Sequence, residues 1–247
     1  MKLENQAFIV TGGASGIGLG TTRRLISEGG RVVAVDINAE AGERVVEEFG
    51  DRARFVEGDV SDAQVATAAV AEAVGAFGGL DGLVNNAHVS RQKPFLELEE
   101  SDWSLSFSTG FQATLNFMRA AHDELAKTKG SVVNFGSGAA MSGQLGQASY
   151  AAAKEAIRAV SRVIANEWAP EGIRVNIVSP LALTPGVEAW SKEQPALYEE
   201  TVATIPLARF GDPETDVAPV VAFLLSSDAK YMTGQTLMAD GGIRKLY

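Results

Sequence analysis

Apolar positions along this chain fall in short unbroken runs rather than in alternation. Stretches rich in valine, isoleucine and alanine at 7–10, 31–35, 54–57, 82–85, 131–135, 174–178 and 236–238 read as strands. A strand exposed on one face alternates apolar and polar residues, whereas one covered on both faces is apolar throughout. These runs therefore predict a sheet with helices on both sides. Between them, helical periodicity predicts helices near 17–28, 39–49, 62–77, 99–127, 148–169 and 213–226. Strand–helix alternation implies parallel strands joined by right-handed crossovers. The expected fold class is α/β: a Rossmann-like, doubly wound sheet of seven parallel strands in a three-layer α/β/α sandwich. No linker or repeat interrupts residues 1–247, so a single domain is expected. The region 181–210 lacks a predicted strand and contains Pro185, Pro195 and Pro206. It is the natural place for a lid over a substrate.

Composition narrows the partners. A formal charge of −10 leaves no basic face for nucleic acid or an anionic membrane surface. The absence of cysteine removes disulfides, thiolate catalysis and cysteine metal sites, and no residue cluster has metal-ligand spacing. The start, MKLENQAFIV, has no signal-peptide pattern, and no apolar run approaches the roughly 18 residues that span a bilayer. The expectation is a soluble, cytoplasmic protein whose partner is a small molecule.

The first predicted strand runs into Thr11-Gly12-Gly13-Ala14-Ser15-Gly16-Ile17-Gly18 and then a helix. A dinucleotide pyrophosphate must come close to backbone N–H groups at a helix N-terminus, and side chains would obstruct it. Glycines at 12, 16 and 18 permit the approach, the tight turn and close helix–strand packing. A glycine-rich turn alone is weak evidence, but its place directly after the first strand strengthens the reading. The second strand ends at Asp36, about 20 residues on, where a carboxylate can accept hydrogen bonds from ribose hydroxyls. A 2′-phosphate there would meet a like charge costing roughly 1–4 kcal/mol per pair at 4 Å. NAD(H) is therefore expected over NADP(H), by about ten- to several hundred-fold. Asp59 and Val60 after the third strand, and Asn85 after the fourth, lie on the same carboxyl edge, where ligands of open α/β sheets bind.

Tyr150 and Lys154 are four residues apart in a predicted helix and share a face. A phenol near pKa 10 is a poor base at neutral pH. The lysine ammonium and an oxidised nicotinamide ring would together favour phenolate and lower that pKa. Tyr150 would then exchange a proton with a substrate oxygen, and Ser137, after the fifth strand, would hold that oxygen. A tyrosine–lysine pair by itself is common on helices and carries little weight alone.

Together, the TGGASGIG turn, Asp36, Asp59-Val60, Asn85-Asn86-Ala87, Ser137, Tyr150/Lys154 and the late Tyr231-Met-Thr-Gly-Gln…Asp240-Gly-Gly segment resemble the short-chain dehydrogenase/reductase family over essentially the whole chain. Ser137 precedes Tyr150 by thirteen positions, as in members similar to 3-oxoacyl-acyl-carrier-protein reductases. The resemblance implies an oxidoreductase interconverting a secondary alcohol and a ketone with NAD(H). It implies Ser137, Tyr150 and Lys154 as catalytic residues. The implied cofactor contacts are Gly12, Ser15, Gly16, Ile17, Gly18, Asp36, Asp59, Val60, Asn86, Tyr150, Lys154, Pro180 and Leu183, with Lys154 also binding the nicotinamide ribose. It further implies a homotetramer, or a homodimer, packed through helices 99–127 and 148–169.

Three positions depart from the family pattern. His88 stands where the family has glycine after Asn-Asn-Ala. Gly110, seven residues after Trp103, stands where the family places an asparagine whose carbonyl holds a relay water for the lysine. Pro180-Leu181-Ala182-Leu183-Thr184 puts a threonine one position early. The pairing of a larger residue at 88 with a smaller one at 110 suggests a size exchange, against the plainer reading that His88 only lines the pocket. His122 is expected at the surface. Trp103, Phe107 and Phe111 are expected in core or subunit interface, and Glu97, Glu99 and Glu100 at a solvated helix start. Leu181, Leu183, Val187, Trp190 and Tyr198 suggest a moderately apolar substrate pocket. Two other readings remain open: a non-catalytic NAD-binding regulator, and a non-redox enzyme on the same scaffold. The latter would carry arginine in place of Lys154 and lack the cofactor glycines.

Overall fold

The computed structural model describes residues 2–245. Its strands are β1 (Ala7–Thr11), β2 (Arg31–Asp36), β3 (Ala53–Glu57), β4 (Gly82–Asn85), β5 (Ser131–Phe135), β6 (Arg174–Pro180) and β7 (Thr236–Ala239). They form one sheet in the order β3-β2-β1-β4-β5-β6-β7, and every neighbouring pair is parallel. Successive strands step outward from β1 to β3 on one side and from β4 to β7 on the other. The direction of winding reverses between β1 and β4, which opens a crevice at their carboxyl ends.

Continuous apolar runs have a direct structural cause here. Phe8, Val10, Val32 and Ala34 face a core built with α1 (Gly16–Ser27), α2 (Ala39–Phe49) and α10 (Ala218–Leu225). Ala7, Ile9, Val33 and Val35 face the other core, built with α3 (Ala63–Phe77), α5 (Ala113–Thr128) and α7 (Ala148–Trp168). Alternate side chains point to opposite faces, and both faces are covered. This is the three-layer, doubly wound arrangement that the sequence pattern predicts.

The helices differ from expectation in three places. The predicted helix 99–127 is α4 (Glu100–Ser106), a π-helical turn (Phe107–Gln112) and α5 in continuous succession. The π turn accommodates side-chain bonding within it: Thr109 Oγ1 contacts Leu105 O at 2.8 Å and accepts Val89 N–H at 3.1 Å. The predicted helix 213–226 likewise opens with a π turn (Pro213–Val217), capped by Asp212 through Glu214 N and Thr215 N. The predicted lid contains two helices, α8 (Pro185–Glu193) and α9 (Pro195–Ala203), each begun by a proline whose missing N–H costs nothing in the first turn. A parallel bridge between Ala182 and Gly211 closes the base of this excursion. Trp190 and Tyr198 meet edge-on at 5.7 Å, and Tyr198 stacks on Phe210 at 5.3 Å. These two expected pocket residues therefore pack within the lid. A short helix, α6 (Gly138–Ser142), links β5 to α7.

Candidate active site

The turn after β1 is shaped for close backbone approach. Gly12 has φ +64°, and a Cβ there would lie 2.8 Å from Asn86 Nδ2; one on Gly18 would lie 1.9 Å from Gly12 O. Neither position accepts a side chain. Ser15 precedes α1 but makes no side-chain cap bond, which leaves first-turn N–H groups available to an anion. Asn86 holds this turn by donating its amide to Thr11 O at 2.9 Å, and Thr11 Oγ1 accepts the N–H groups of Asn86 and Ala87. Asp36, ending β2, accepts Ala14 N–H at 3.3 Å and Asn38 N–H at 3.2 Å.

A groove of about 610 Å³ runs along this edge. Of the sequence-derived contacts it is lined by Gly12, Ser15, Gly16, Ile17, Asp36, Asp59, Val60 and Asn86; His88 and Thr184 also line it. Gly18 lies behind it as a packing glycine. Pro180 ends β6 and is not in the lining; nor is Leu183, whose N–H donates to Gly211 O at 2.8 Å. Asn85, expected on the ligand edge, is turned into the core instead. Its amide donates to Asn134 Oδ1 at 2.8 Å, and Asn134 Nδ2 donates to Ser161 Oγ at 2.8 Å. The obstructed Cβ positions, the free helix-terminal amides and the carboxylate beyond them fit a dinucleotide.

Ser137, Tyr150 and Lys154 are brought together beside this groove. Ser137 N-caps α6, accepting Ala140 N–H at 3.3 Å, and its hydroxyl acts on Tyr150 to favour the ionised phenol. Lys154 is buried, and its Nζ donates to Phe135 O at 2.9 Å. That nitrogen stands 5.8 Å from the centre of the Tyr150 ring. Burial lowers the Lys154 pKa to about 8. Burial also raises Tyr150, partly opposed by the Ser137 hydroxyl. The lowering of Tyr150 expected from its helix neighbour is thus not supplied by the protein alone, where desolvation dominates the phenol and the Lys154 ammonium bonds the Phe135 carbonyl.

His88 joins the groove to this cluster. Its ring stacks on Tyr150 with centroids 4.9 Å apart and planes 18° from parallel. Nε2 lies 3.0 Å from Ser106 Oγ, and Ser106 donates to Ser149 O at 3.1 Å. A Cβ added at Gly110 would come within 2.9 Å of His88 Nε2, so the suggested size exchange has a geometric basis. The Gly110 carbonyl accepts Thr114 Oγ1 at 2.8 Å.

Sequence reasoning missed Asp102. It is fully enclosed and accepts Lys93 Nζ at 2.8 Å, Arg91 Nη1 at 3.2 Å and Glu99 N–H at 3.0 Å. The Lys93 hydrogen bond is the largest cause holding its pKa down at about 2. It ties the loop after β4 to α4; only a view of that loop could reveal this, since all four residues look like surface charges. His122, expected at the surface, is half-buried against Trp168 and lies 2.9 Å from Asp123 and 3.2 Å from Glu171. Phe107 and Phe111 pack edge-on at 6.1 Å, half-buried like Trp103.

The family model described as enoyl-(acyl carrier protein) reductase matches residues 12–244. The chain belongs to the short-chain dehydrogenase/reductase family. It is 39% identical over 251 residues to a 12alpha-hydroxysteroid dehydrogenase of Clostridium sp., covering 97% of each chain. It is 36% identical over 250 residues to a 3-oxoacyl-[acyl-carrier-protein] reductase of Staphylococcus aureus, covering 98% of this chain and 99% of that one. A crystal structure of a family member from Brucella melitensis, titled glucose/ribitol dehydrogenase, superposes with a TM-score of 0.93 at 33% identity and 99% coverage of both chains. Within the family this chain is similar to the 3-oxoacyl-acyl-carrier-protein reductases, and it is an oxidoreductase acting at a hydroxyl or ketone group. No described helix is long and apolar enough to cross a membrane.

Proposed function

We propose that this protein interconverts a secondary alcohol and a ketone with NAD(H), using Tyr150 as general acid and base. One observation carries the reading: Ser137, Tyr150 and Lys154 converge next to a dinucleotide-shaped groove that ends in a carboxylate. The nicotinamide ring, when bound, supplies the hydride donor or acceptor. Ser137 orients the substrate oxygen by hydrogen bonding. Tyr150 gives that oxygen a proton in reduction and takes one in oxidation. Lys154, anchored on the Phe135 carbonyl, favours the ionised phenol and has N–H groups to offer the ribose. A cationic ring adjoining the phenol would oppose the burial that raises Tyr150, so cofactor and base act as one titrating unit.

NAD(H) preference rests on Asp36 and Asp59, since among the described residues no lysine or arginine lines the groove. An apolar-bodied substrate is supported by exposed Phe95, Leu96 and Leu145 on the two loops joined by the Lys93 N–H to Gly146 O bond. The relative named for a 12alpha-hydroxysteroid points the same way. We assign the whole chain to one catalytic domain, to the cytoplasm and to a homotetramer, the last on family resemblance.

The test is a panel of ketones and secondary alcohols run in both directions with both cofactors. Turnover should appear with an apolar substrate and fall about 10²–10⁴-fold in Tyr150→Phe. Tight NADH binding without Tyr150-dependent turnover on any member would instead indicate a regulator.

A further inference from the structure

We propose that His88 is a positioning residue for Tyr150, a neutral imidazole seated against Gly110 and tied through Ser106, which fixes the phenol plane and shields its face from water. The proposal rests on the reading of Tyr150 as the acid–base group.

The hydrogen-bond chain fixes the tautomer. Ser106 has one hydroxyl proton, and it donates that proton to Ser149 O at 3.1 Å. Its oxygen therefore accepts at 3.0 Å from His88, which must carry its proton on Nε2. Nδ1 is buried with no partner among the described residues. A second proton there would create a buried N–H without an acceptor, close to the Lys154 ammonium. Burial first, and Lys154 second, hold the imidazole pKa down at about 2. The ring thus adds no charge beside the phenol. Because Ser149 immediately precedes Tyr150, the chain anchors the imidazole to the helical turn that carries the base.

Steric contacts fix the position. A Cβ on Gly110 would lie 2.9 Å from Nε2 and 3.1 Å from both Cδ2 and Cε1. Near-equal distances to three adjacent ring atoms place Gly110 against the ring face rather than its edge. Thr109 clamps the next residue, accepting Val89 N–H at 3.1 Å, so the loop cannot retreat freely. A methyl group at 110 must therefore displace the imidazole, and with it the plane stacked on Tyr150. His88 and Gly110 act as one unit.

The remaining charges near Tyr150 are few. Lys154 faces it from α7, whose Glu155 is paired with Arg158. Asp102 on α4 is paired with Arg91 and Lys93 from the loop after β4. From the β5–α6 turn comes only the Ser137 hydroxyl. Water admitted by loss of His88 would relieve the burial of both partners, favouring phenolate on Tyr150 and ammonium on Lys154. Both changes move the ionisation of Tyr150 to lower pH.

Ultraviolet titration of the intact protein reads this directly, taking in each background the difference between Tyr150 and Tyr150→Phe. His88→Ala and Gly110→Ala should each lower the midpoint by at least half a unit, about threefold in the ionisation constant. Gly110→Ala in the His88→Ala background should lower it no further. The basic limb of the alcohol-oxidation profile should move with it, and kcat should fall more than KM rises. If His88→Ala does not fold, Gly110→Ala alone carries the test. Unmoved midpoints, or additive effects of the two substitutions, overturn the proposal even if kcat falls. A shifted midpoint in a protein with no Tyr150-dependent turnover supports the His88 contact and removes the proposed reaction.

Discussion

Asp36→Asn tests the cofactor assignment with little disturbance to shape. Asparagine keeps one oxygen acceptor, enough for one of the two N–H groups that now meet separate carboxylate oxygens, Ala14 on Oδ2 at 3.3 Å and Asn38 on Oδ1 at 3.2 Å. The larger loss is the charge. Arg23 and Arg24 on adjoining α1 and Arg44 on α2 are paired with Glu48, Glu28 and Glu40. Asp59 remains in the groove as a second negative group. A carboxylate and a phosphate charge about 4 Å apart repel by roughly 1–4 kcal/mol, depending on how much water screens them. The ratio of NADPH to NADH dissociation constants should therefore fall by about ten- to several hundred-fold, chiefly through tighter NADPH binding. Quenching of the tryptophan fluorescence measures both constants without a known substrate. Added salt should shrink the wild-type discrimination, as expected of a screened interaction. The reasoning fails if the wild-type protein binds NADPH as tightly as NADH, or if Asp36→Asn leaves their ratio unchanged.

Lys154 should leave a mark on stability at high pH. Its folded pKa of about 8 lies below the ordinary lysine value of 10.5, so the unfolded chain binds more protons between those values and stability rises with pH. The difference in unfolding free energy between wild type and Lys154→Met should change by up to ~3 kcal/mol between pH 7 and 10.5, in favour of wild type; urea midpoints that move in parallel would refute this. Asn134→Ala should cost about 2–4 kcal/mol, because it orphans the Asn85 amide in the core and removes the donor to Ser161 Oγ, whose own proton stays on Ile157 O. A loss under 1 kcal/mol by chemical denaturation would show that those groups find other partners.

Some of this site could be read along the chain because its signals are local. Turn glycines, a strand-ending Asp36 and the four-residue spacing of Tyr150 and Lys154 are facts of backbone geometry and helix period. The seven strands were equally legible, since burial on both faces leaves an unbroken apolar run such as Phe8-Ile9-Val10. Lid helices α8 and α9 were not: neither buries a residue, so both stand outside the alternation of core strands and core helices by which the other elements are read. Asn85 was misplaced because a polar residue at a strand end looks alike whether it faces ligand or core.

The sequence by itself determined the layer order, the glycine-rich turn after β1 and the pairing of Tyr150 with Lys154 on one helix face, all through spacings of a few residues. Only the tertiary structure decided what surrounds that pair. The partner of Lys154 is a backbone carbonyl at Phe135, which no side-chain identity announces. His88, Gly110, Ser106 and Tyr150 meet across separate segments, so their contact depends on how two helices and a loop pack. Desolvation is likewise a property of the packed assembly. It raises Tyr150 and lowers Lys154 in the protein alone, where the spacing predicted only mutual attraction.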